Sequence, residues 1–255
     1  MHQEVIAHPP RRLVCTVAAI ENATHDIRVI RLAVESGERF DFRAGQYASL
    51  EFPGMPARDF SMASRPDEAL LEFHIRLMPG GAITPYLATQ IRCGDKVAVY
   101  GPLGTAYLRE NHTGPIVALA GGSGLAPIKS IVETALARGM TQPITLYVGV
   151  RTERDLYLEE HFRALSARHP NLRIMPVLSA PDAPTQRRTG MLADALRQDF
   201  APGALKDAKA YLAGPPIMVE TAMAALITLG VRKQDCHADA FYTEAEKAAL
   251  AEGPS

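Results

Sequence analysis

The chain is poor in cysteine. Cys15, Cys93 and Cys236 are the three in 255 residues, and no C-x-x-C pair occurs. An odd, scattered set excludes a disulfide framework. It also excludes a structural zinc or an iron–sulfur cluster, each of which wants about four clustered soft ligands. The eight His form no H-E-x-x-H pairing, so no metal site is expected, and the thiols read as small reduced packing residues. An excess of charge is missing too. Lys and Arg number 27 against 28 Asp and Glu, a net charge of −1, which offers no field for nucleic acid or an anionic membrane. No apolar run reaches the ~18 residues of a membrane span. The opening M-H-Q-E-V-I-A-H-P-P-R-R lacks the apolar stretch of a secretory signal. Internal repeats and low-complexity tracts are absent. What remains is a soluble, cytoplasmic globular protein, and any redox chemistry in it belongs to a bound organic cofactor.

Hydrophobic residues make up 47% of the chain, about 120 side chains, enough for one sizeable core or two smaller ones. The texture changes near His112 to Gly114. Before that point short β-rich runs (14–21, 27–34, 46–52, 59–63, 70–77 and 96–100) are punctuated by Gly, Pro and Asp, and only 83–91 reads as helix. Many short strands with close turns mean an antiparallel sandwich or barrel. Beyond Gly114, apolar strands at 116–120, 144–150, 172–178, 210–213 and 237–242 alternate with helices at 127–138, 154–167, 191–198 and 217–229. That alternation predicts a doubly wound parallel sheet, with ligands at the carboxyl ends of its strands. Two ligands meeting at a domain cleft are expected from this pairing.

Gly121-Gly122-Ser123-Gly124-Leu125-Ala126-Pro127 sits between a buried strand and a helix, where a phosphate-binding turn belongs. A G-x-G-x-x-G fingerprint would need Gly at Pro127; proline there suits the first helical turn instead. No Gly-Lys-Ser/Thr follows, which excludes a P-loop. A second turn, Ala213-Gly214-Pro215-Pro216, opens another helix after another apolar strand, and the two together make a nucleotide site. The alternative for each is a plain strand-to-helix connection.

In the first half, Arg58-Asp59-Phe60-Ser61 places a permanent cation, a ring and a hydroxyl on one strand, with Arg58 and Phe60 on one face and Ser61 on the other. Arginine suits a diphosphate, and a flat ring suits a conjugated ligand. The plain reading is an exposed Arg beside a core Phe. Gly80-Gly81-Ala82-Ile83-Thr84 leads into the short helix as a second anion cradle. Asp95 followed by Gly101-Pro102-Leu103-Gly104 reads as a further sharp turn.

The ordered set R-D-F-S, P-G-G-A-I-T, G-P-L-G, G-G-S-G-L-A-P and A-G-P-P-I-M-V resembles the ferredoxin–NADP(+) reductase superfamily. More narrowly, it resembles the flavin reductase component of bacterial ring-hydroxylating oxygenases, over residues 12–242. The resemblance implies an antiparallel six-stranded FAD-binding β-barrel over residues 1–112 and an NAD(P)-binding parallel α/β domain over residues 113–255. It implies that Arg58 holds the flavin pyrophosphate, Phe60 packs on the isoalloxazine in place of the family's Tyr, and Ser61 bonds near N5. Asp59, His74, Arg76, Gly80, Gly81, Ala82, Ile83 and Thr84 complete the implied flavin set. Gly122, Ser123, Gly124, Arg151, Gly214, Pro215 and Pro216 form the implied nicotinamide-nucleotide set. Ala213 stands where the family carries Cys, so no thiol assists there.

The implied activity is hydride transfer from NADH or NADPH to bound FAD, with FMN the less favoured flavin. Single electrons then pass to an iron–sulfur acceptor, a ferredoxin or oxygenase component. The working unit is expected to be a monomer. Alternatives are a reductase giving electrons to free flavin, a haem protein or oxygen, and a flavin-binding redox sensor without turnover. His8-Pro9-Pro10-Arg11-Arg12 reads as an interdomain linker, and the chain has too few cysteines for a fused ferredoxin module.

Two stretches bear on the chemistry. In Arg151-Thr152-Glu153-Arg154-Asp155, either Arg suits a 2′-phosphate, whereas Glu153 or Asp155 suits ribose hydroxyls and repels that phosphate; the acids tilt the reading to NADH. In His237-Ala238-Asp239-Ala240-Phe241-Tyr242, a strand at 237–242 would put Asp239 and Phe241 on one face. By resemblance Phe241 is a gate over the flavin displaced by coenzyme, and Asp239 lies near N5. Ser61, Asp239 and Phe241 are thus the implied catalytic residues.

Overall fold

A computed structural model describes residues 8–242. Residues 1–7, part of the stretch read above as carrying no secretory signal, lie outside the described residues. The chain divides into two compact units. One takes the described residues up to Asn111 together with Ala126–Met140; the other takes His112–Leu125 and the described residues from Thr141 to Tyr242.

The first unit is built on six antiparallel strands: β1 (Arg11–Asn22), β2 (Ile27–Val34), β3 (Tyr47–Glu51), β4 (Arg58–Ser61), β5 (Leu71–Arg76) and β6 (Lys96–Leu103), with helix α1 (Thr84–Thr89) between the last two. Their order is β4-β3-β6-β1-β2-β5. The two ends of that row meet just past β4, where the Ala63 N–H donates to the Glu72 carbonyl at 2.7 Å and Met62 bridges Phe73. The sheet therefore closes on itself, which removes its open edges. Inward residues such as Ile30, Leu32, Leu50, Phe52, Phe73 and Val99 fill the interior. β-branched and aromatic residues at alternate positions are what put them there.

Two boundaries depart from the sequence reading. Arg11 and Arg12, read as linker, begin β1 and pair with Gly101 and Tyr100 of β6. Correspondingly, Gly101 to Leu103 continue β6 instead of turning; the turn falls at Gly104, whose φ of +88° suits glycine.

The second unit carries six parallel strands: β7 (Ile116–Gly121), β8 (Ile144–Val150), β9 (Leu172–Leu178), the two-residue β10 (Arg188–Thr189), β11 (Lys209–Gly214) and β12 (Cys236–Ala240). Their order is β10-β9-β8-β7-β11-β12. The chain moves outward from β7 to β10, then returns to the other side of β7 as β11. The switch point thus lies between β7 and β11. All six residues of β7 are buried, as a strand covered on both faces requires. Helices α2 (Leu125–Ala137), α3 (Glu159–Arg168), α4 (Leu192–Asp199) and α5 (Pro216–Thr228) alternate with the strands.

The helix read at 154–167 starts later than expected. Glu153–Asp155 form a single 3₁₀ turn closed by a capping box between Thr152 and Asp155, and Leu158 takes a left-handed φ of +60° before α3 begins at Glu159. The last strand also ends early, at Ala240. Phe241 lies beyond it, with its N–H on the Gly214 carbonyl at 2.9 Å. Strand alternation therefore does not set the direction of Phe241 relative to Asp239.

Candidate functional site

In the second unit the two glycine turns follow adjacent strands at the switch point, the place where such sheets take their ligands. They pack main chain on main chain. Gly214 has a φ of +142°, and a Cβ there would stand 2.9 Å from the Gly121 carbonyl. A Cβ on Gly121 would stand 2.8 Å from Pro215 Cδ. Gly122–Gly124 form a 3₁₀ turn with Gly122 at φ +55°, leading straight into α2. Pro127 falls in the first turn of α2 and Pro216 opens α5, where a missing N–H costs nothing. Glycine is thus demanded by contact as well as by conformation, and the surface so formed is backbone, as close approach of a pyrophosphate requires. Ser123 is half-buried beside it, and Ala213 is buried. Asp239 on β12 lies opposite Ala213 in the register, and the Phe241 N–H is held by Gly214. Asp239 and Phe241 therefore both sit at the second turn.

Arg151 is the first residue after β8 and is exposed; among the described residues it makes no ion pair. The acids around it are already engaged. Asp155 accepts from the Thr152 N–H at 3.0 Å and from the Thr152 hydroxyl at 3.2 Å. Glu153 accepts from the Thr185 hydroxyl at 2.8 Å and lies 3.7 Å from Arg187.

In the first unit β4 carries Arg58, Asp59, Phe60 and Ser61. Arg58 and Phe60 oppose Leu50 and Ala48 of β3, both fully buried, so their shared face is the core side of the sheet. Phe60 packs partly on that core and is half-buried. Arg58, half-buried at the end of the strand, donates to the Ala57 carbonyl at 2.9 Å and makes no ion pair among the described residues. Asp59 is exposed, while Ser61 is 7% exposed.

The Gly80–Thr84 segment turns through Gly80 at φ +73°, with open space where a Cβ would be. At Gly81 a Cβ would stand 2.9 Å from the Thr84 hydroxyl. Ala82 is exposed, whereas Ile83 is buried in the barrel core. The side chains of the other two implied residues serve the protein itself. His74 is buried, with Nε2 3.0 Å from a Glu72 carboxylate oxygen, and Arg76 pairs with Asp26 at 2.7 Å. Burial also lowers the His74 pKa, against the pull of Glu72.

The cysteine reading holds in part. Cys15 and Cys236 have their thiols pushed up to about 11, in each case chiefly by burial, and such thiols stay protonated and inert. Cys93, however, is exposed.

Comparison with known proteins assigns each half of the chain to a domain family. Residues 14–107 match the oxidoreductase FAD-binding domain and residues 118–224 the oxidoreductase NAD-binding domain. The chain is 45% identical over 239 residues to the ferredoxin–NAD(P)(+) reductase component of the naphthalene 1,2-dioxygenase system of Pseudomonas putida, covering 94% of this chain and 72% of that one. The chain belongs to the ferredoxin reductase family. It is 36% identical to the phenol 2-monooxygenase reductase component DmpP of Pseudomonas sp. (strain CF600), covering 96% of this chain and 70% of the relative. Among solved structures, the Amycolatopsis cytochrome P450 reductase GcoB superposes with a TM-score of 0.85 at 36% identity, over 92% of this chain and 71% of that one. This ferredoxin reductase is therefore an FAD- and NAD(P)-binding oxidoreductase of the kind that serves oxygenase systems. Among the described residues no helix is long and apolar enough to cross a membrane.

The sequence reading missed the buried charged group around Glu72. Lys129 of α2 pairs with Glu133 at 3.1 Å and Glu72 at 3.3 Å, and Arg31 reaches Glu72 at 2.7 Å from the other side. Burial alone would raise the Glu72 pKa, but the hydrogen bond from His74 and the charges of Lys129 and Arg31 hold it far below the usual carboxylate range. Lys129 follows an apolar pattern that gives no sign of burial, and only the tertiary packing reveals it.

Proposed function

We propose that the chain carries electrons from NAD(P)H through FAD to an iron–sulfur protein, a ferredoxin or the oxygenase component itself, working as a monomer. The observation that carries the reading is the main-chain packing of Gly121–Gly124 against Ala213–Gly214 at the switch point. Such a surface has no use in a sensor that never meets a nicotinamide. Held by the first unit, FAD would supply the exchange between a two-electron nicotinamide donor and one-electron acceptors.

The protein's part is placement and charge. Arg58 offsets the flavin diphosphate, with no carboxylate paired to it among the described residues. The ring of Phe60 supports the isoalloxazine, and buried Ser61 presents its hydroxyl or N–H near N5. Gly80, Gly81, Ala82 and Thr84 form the second phosphate turn, which Ile83 anchors in the barrel core; Asp59, His74 and Arg76 complete the flavin set from β4 and β5. Gly122, Ser123, Gly124, Gly214, Pro215 and Pro216 receive the coenzyme, with Arg151 beside its adenosine ribose. Asp239 and Phe241, both at the second turn, take the proton-holding and gating roles.

A second acceptor has its own support, since GcoB, similar over most of the chain, is a cytochrome P450 reductase. Anaerobic stopped-flow with NADH, followed by mixing with a [2Fe–2S] ferredoxin or with a cytochrome P450, separates the two. Rapid reoxidation by the ferredoxin is expected. Transfer to the haem protein alone would replace the iron–sulfur acceptor in this reading.

A further inference from the structure

Helix α2 begins directly after Gly122–Gly124, and its body is bonded to the segment that leaves Ser61. Lys129 donates to the Ala63 carbonyl at 3.2 Å, and the next residue, Ser130, donates to the Ser64 carbonyl at 2.7 Å. Two consecutive helix residues thus hold two consecutive carbonyls of the chain that has just passed through β4. The same segment is pinned from β5, where the Ala63 N–H donates to the Glu72 carbonyl at 2.7 Å and the Ser64 hydroxyl accepts from the Glu72 N–H at 3.1 Å.

These ties are dry. Ser130 and Ser64 are fully buried, and Lys129 is 7% exposed. A buried ammonium is costly unless its partners are well placed; here Glu72, Glu133 and a carbonyl share it. An apolar pair would stick the helix to the sheet without fixing their register, because apolar contact has no direction. Hydrogen bonds to named carbonyls do fix it. The five residues from Gly124 to Lys129 span about 7.5 Å of rigid helix, so a displacement at the turn moves the carbonyls that Lys129 and Ser130 hold.

We propose that Lys129 and Ser130 are positioning residues that couple the coenzyme turn at Gly122–Gly124 to the flavin strand Arg58–Ser61. Filling the turn then alters the setting of Ser61, and by linkage the state of the flavin strand alters the affinity of the turn to the same degree. The inference rests on the flavin seat and the coenzyme turn assigned above.

The experiment titrates the flavin-loaded protein with ADP-ribose, which fills the turn yet has no nicotinamide to touch the flavin. Calorimetry reads binding, and the flavin absorbance band reads the response of β4. In the wild type the absorbance change should saturate with the calorimetric Kd. Ser130→Ala should cut its amplitude about fivefold and shift the ADP-ribose Kd by no more than the same factor, as linkage requires. Under turnover, kcat should fall about fivefold with the coenzyme KM held within about twofold, an effect confined to the step after binding. Lys129→Met should act likewise; if it does not fold, Ser130→Ala decides alone. A colourless protein, or no heat with ADP-ribose, removes the seat or the turn and the coupling with it. Full flavin content and normal binding with an unperturbed wild-type band, or with equal amplitudes in wild type and Ser130→Ala, overturn the coupling and leave the two seats standing.

Discussion

Gly124 packs its bare Cα against the main chain of the neighbouring turn: a Cβ there would stand 2.8 Å from the Gly214 nitrogen and closer still to the Ala213 carbonyl. Neither neighbour is a flexible side chain that can swing aside. Gly124→Ala should therefore push the two turns apart, at about 1–3 kcal/mol. Raised KM for NADH with unchanged flavin content is the expected signature. Wild-type KM would show that the turns tolerate separation without serving the coenzyme.

Arg58 contributes little to the fold, since among the described residues its side chain bonds the adjacent Ala57 carbonyl and makes no ion pair. Arg58→Ala should leave the unfolding midpoint of the flavin-free protein unchanged. It should weaken flavin retention by about 1.5–3 kcal/mol, the worth of a charge-assisted bond. Flavin release on gel filtration or by fluorescence measures it. Unchanged retention would move the pyrophosphate elsewhere.

Coenzyme choice follows from which charges are already occupied. Glu153 is held by Thr185 and Arg187, and Asp155 caps Thr152, whereas Arg151 is exposed. The repulsion expected from the acids is thereby reduced. NADPH should be used with kcat/KM within about tenfold of NADH, and Arg151→Ala should lower the NADPH value about tenfold, roughly the 1.4 kcal/mol of one exposed charge contact. Equal losses with both coenzymes would show that Arg151 does not read the 2′ position.

Acid should loosen the barrel before it touches the α/β sheet. Glu72 has a depressed pKa when folded, so its contribution is complete above the unfolded value of about 4.3 and drains away as pH falls through the folded one. His74, held neutral by burial, adds to the loss in the same direction, starting near its unfolded value of about 6.5. Urea unfolding between about pH 2 and pH 7 should show stability declining as the pH falls, first through His74 below about 6.5 and then through Glu72 below about 4.3. Glu72→Gln should flatten the acid limb while costing about 3 kcal/mol at neutral pH, because Lys129 and Arg31 lose a buried partner. An acid limb as steep as the wild type's would place the titration elsewhere.

Phe241 has its N–H on the Gly214 carbonyl, so the second turn holds its main chain while its ring remains half-exposed. If the ring must move for the nicotinamide, Phe241→Ala should lower the KM for NADH and shift the flavin spectrum. Asp239→Asn should slow flavin reduction without releasing flavin. Wild-type rates, affinity and spectrum in both would make this stretch scaffold.

Most strands were legible because burial leaves a period in the sequence: residues 27–34, 144–150 and 172–178 match their strands end to end. The glycine turns were legible as well, since φ values such as +55° at Gly122 restrict the residue type. What failed was set by long-range contact. Arg11 and Arg12 look like linker until β6 lies beside them. Leu158 breaks the helix read at 154–167 with a conformation that leucine rarely adopts. Lys129 reads as a surface residue, and only its bonds to Glu72, Glu133 and Ala63 account for its burial.

The grouping of Ala126–Met140 with the barrel bears on how such reductases can be recombined. The chain passes from one unit to the other at residues 111–112, 125–126 and 140–141, so no single cut separates them. A chimaera joined near residue 112 takes α2 from one parent and the carbonyls of Ala63 and Ser64, with Glu72, from the other. Shuffled halves would inherit a mismatched anchor even when every residue touching flavin and coenzyme is preserved. Exchange of a whole coenzyme module therefore has to carry the α2 contacts of strand β5 and its preceding loop along with it.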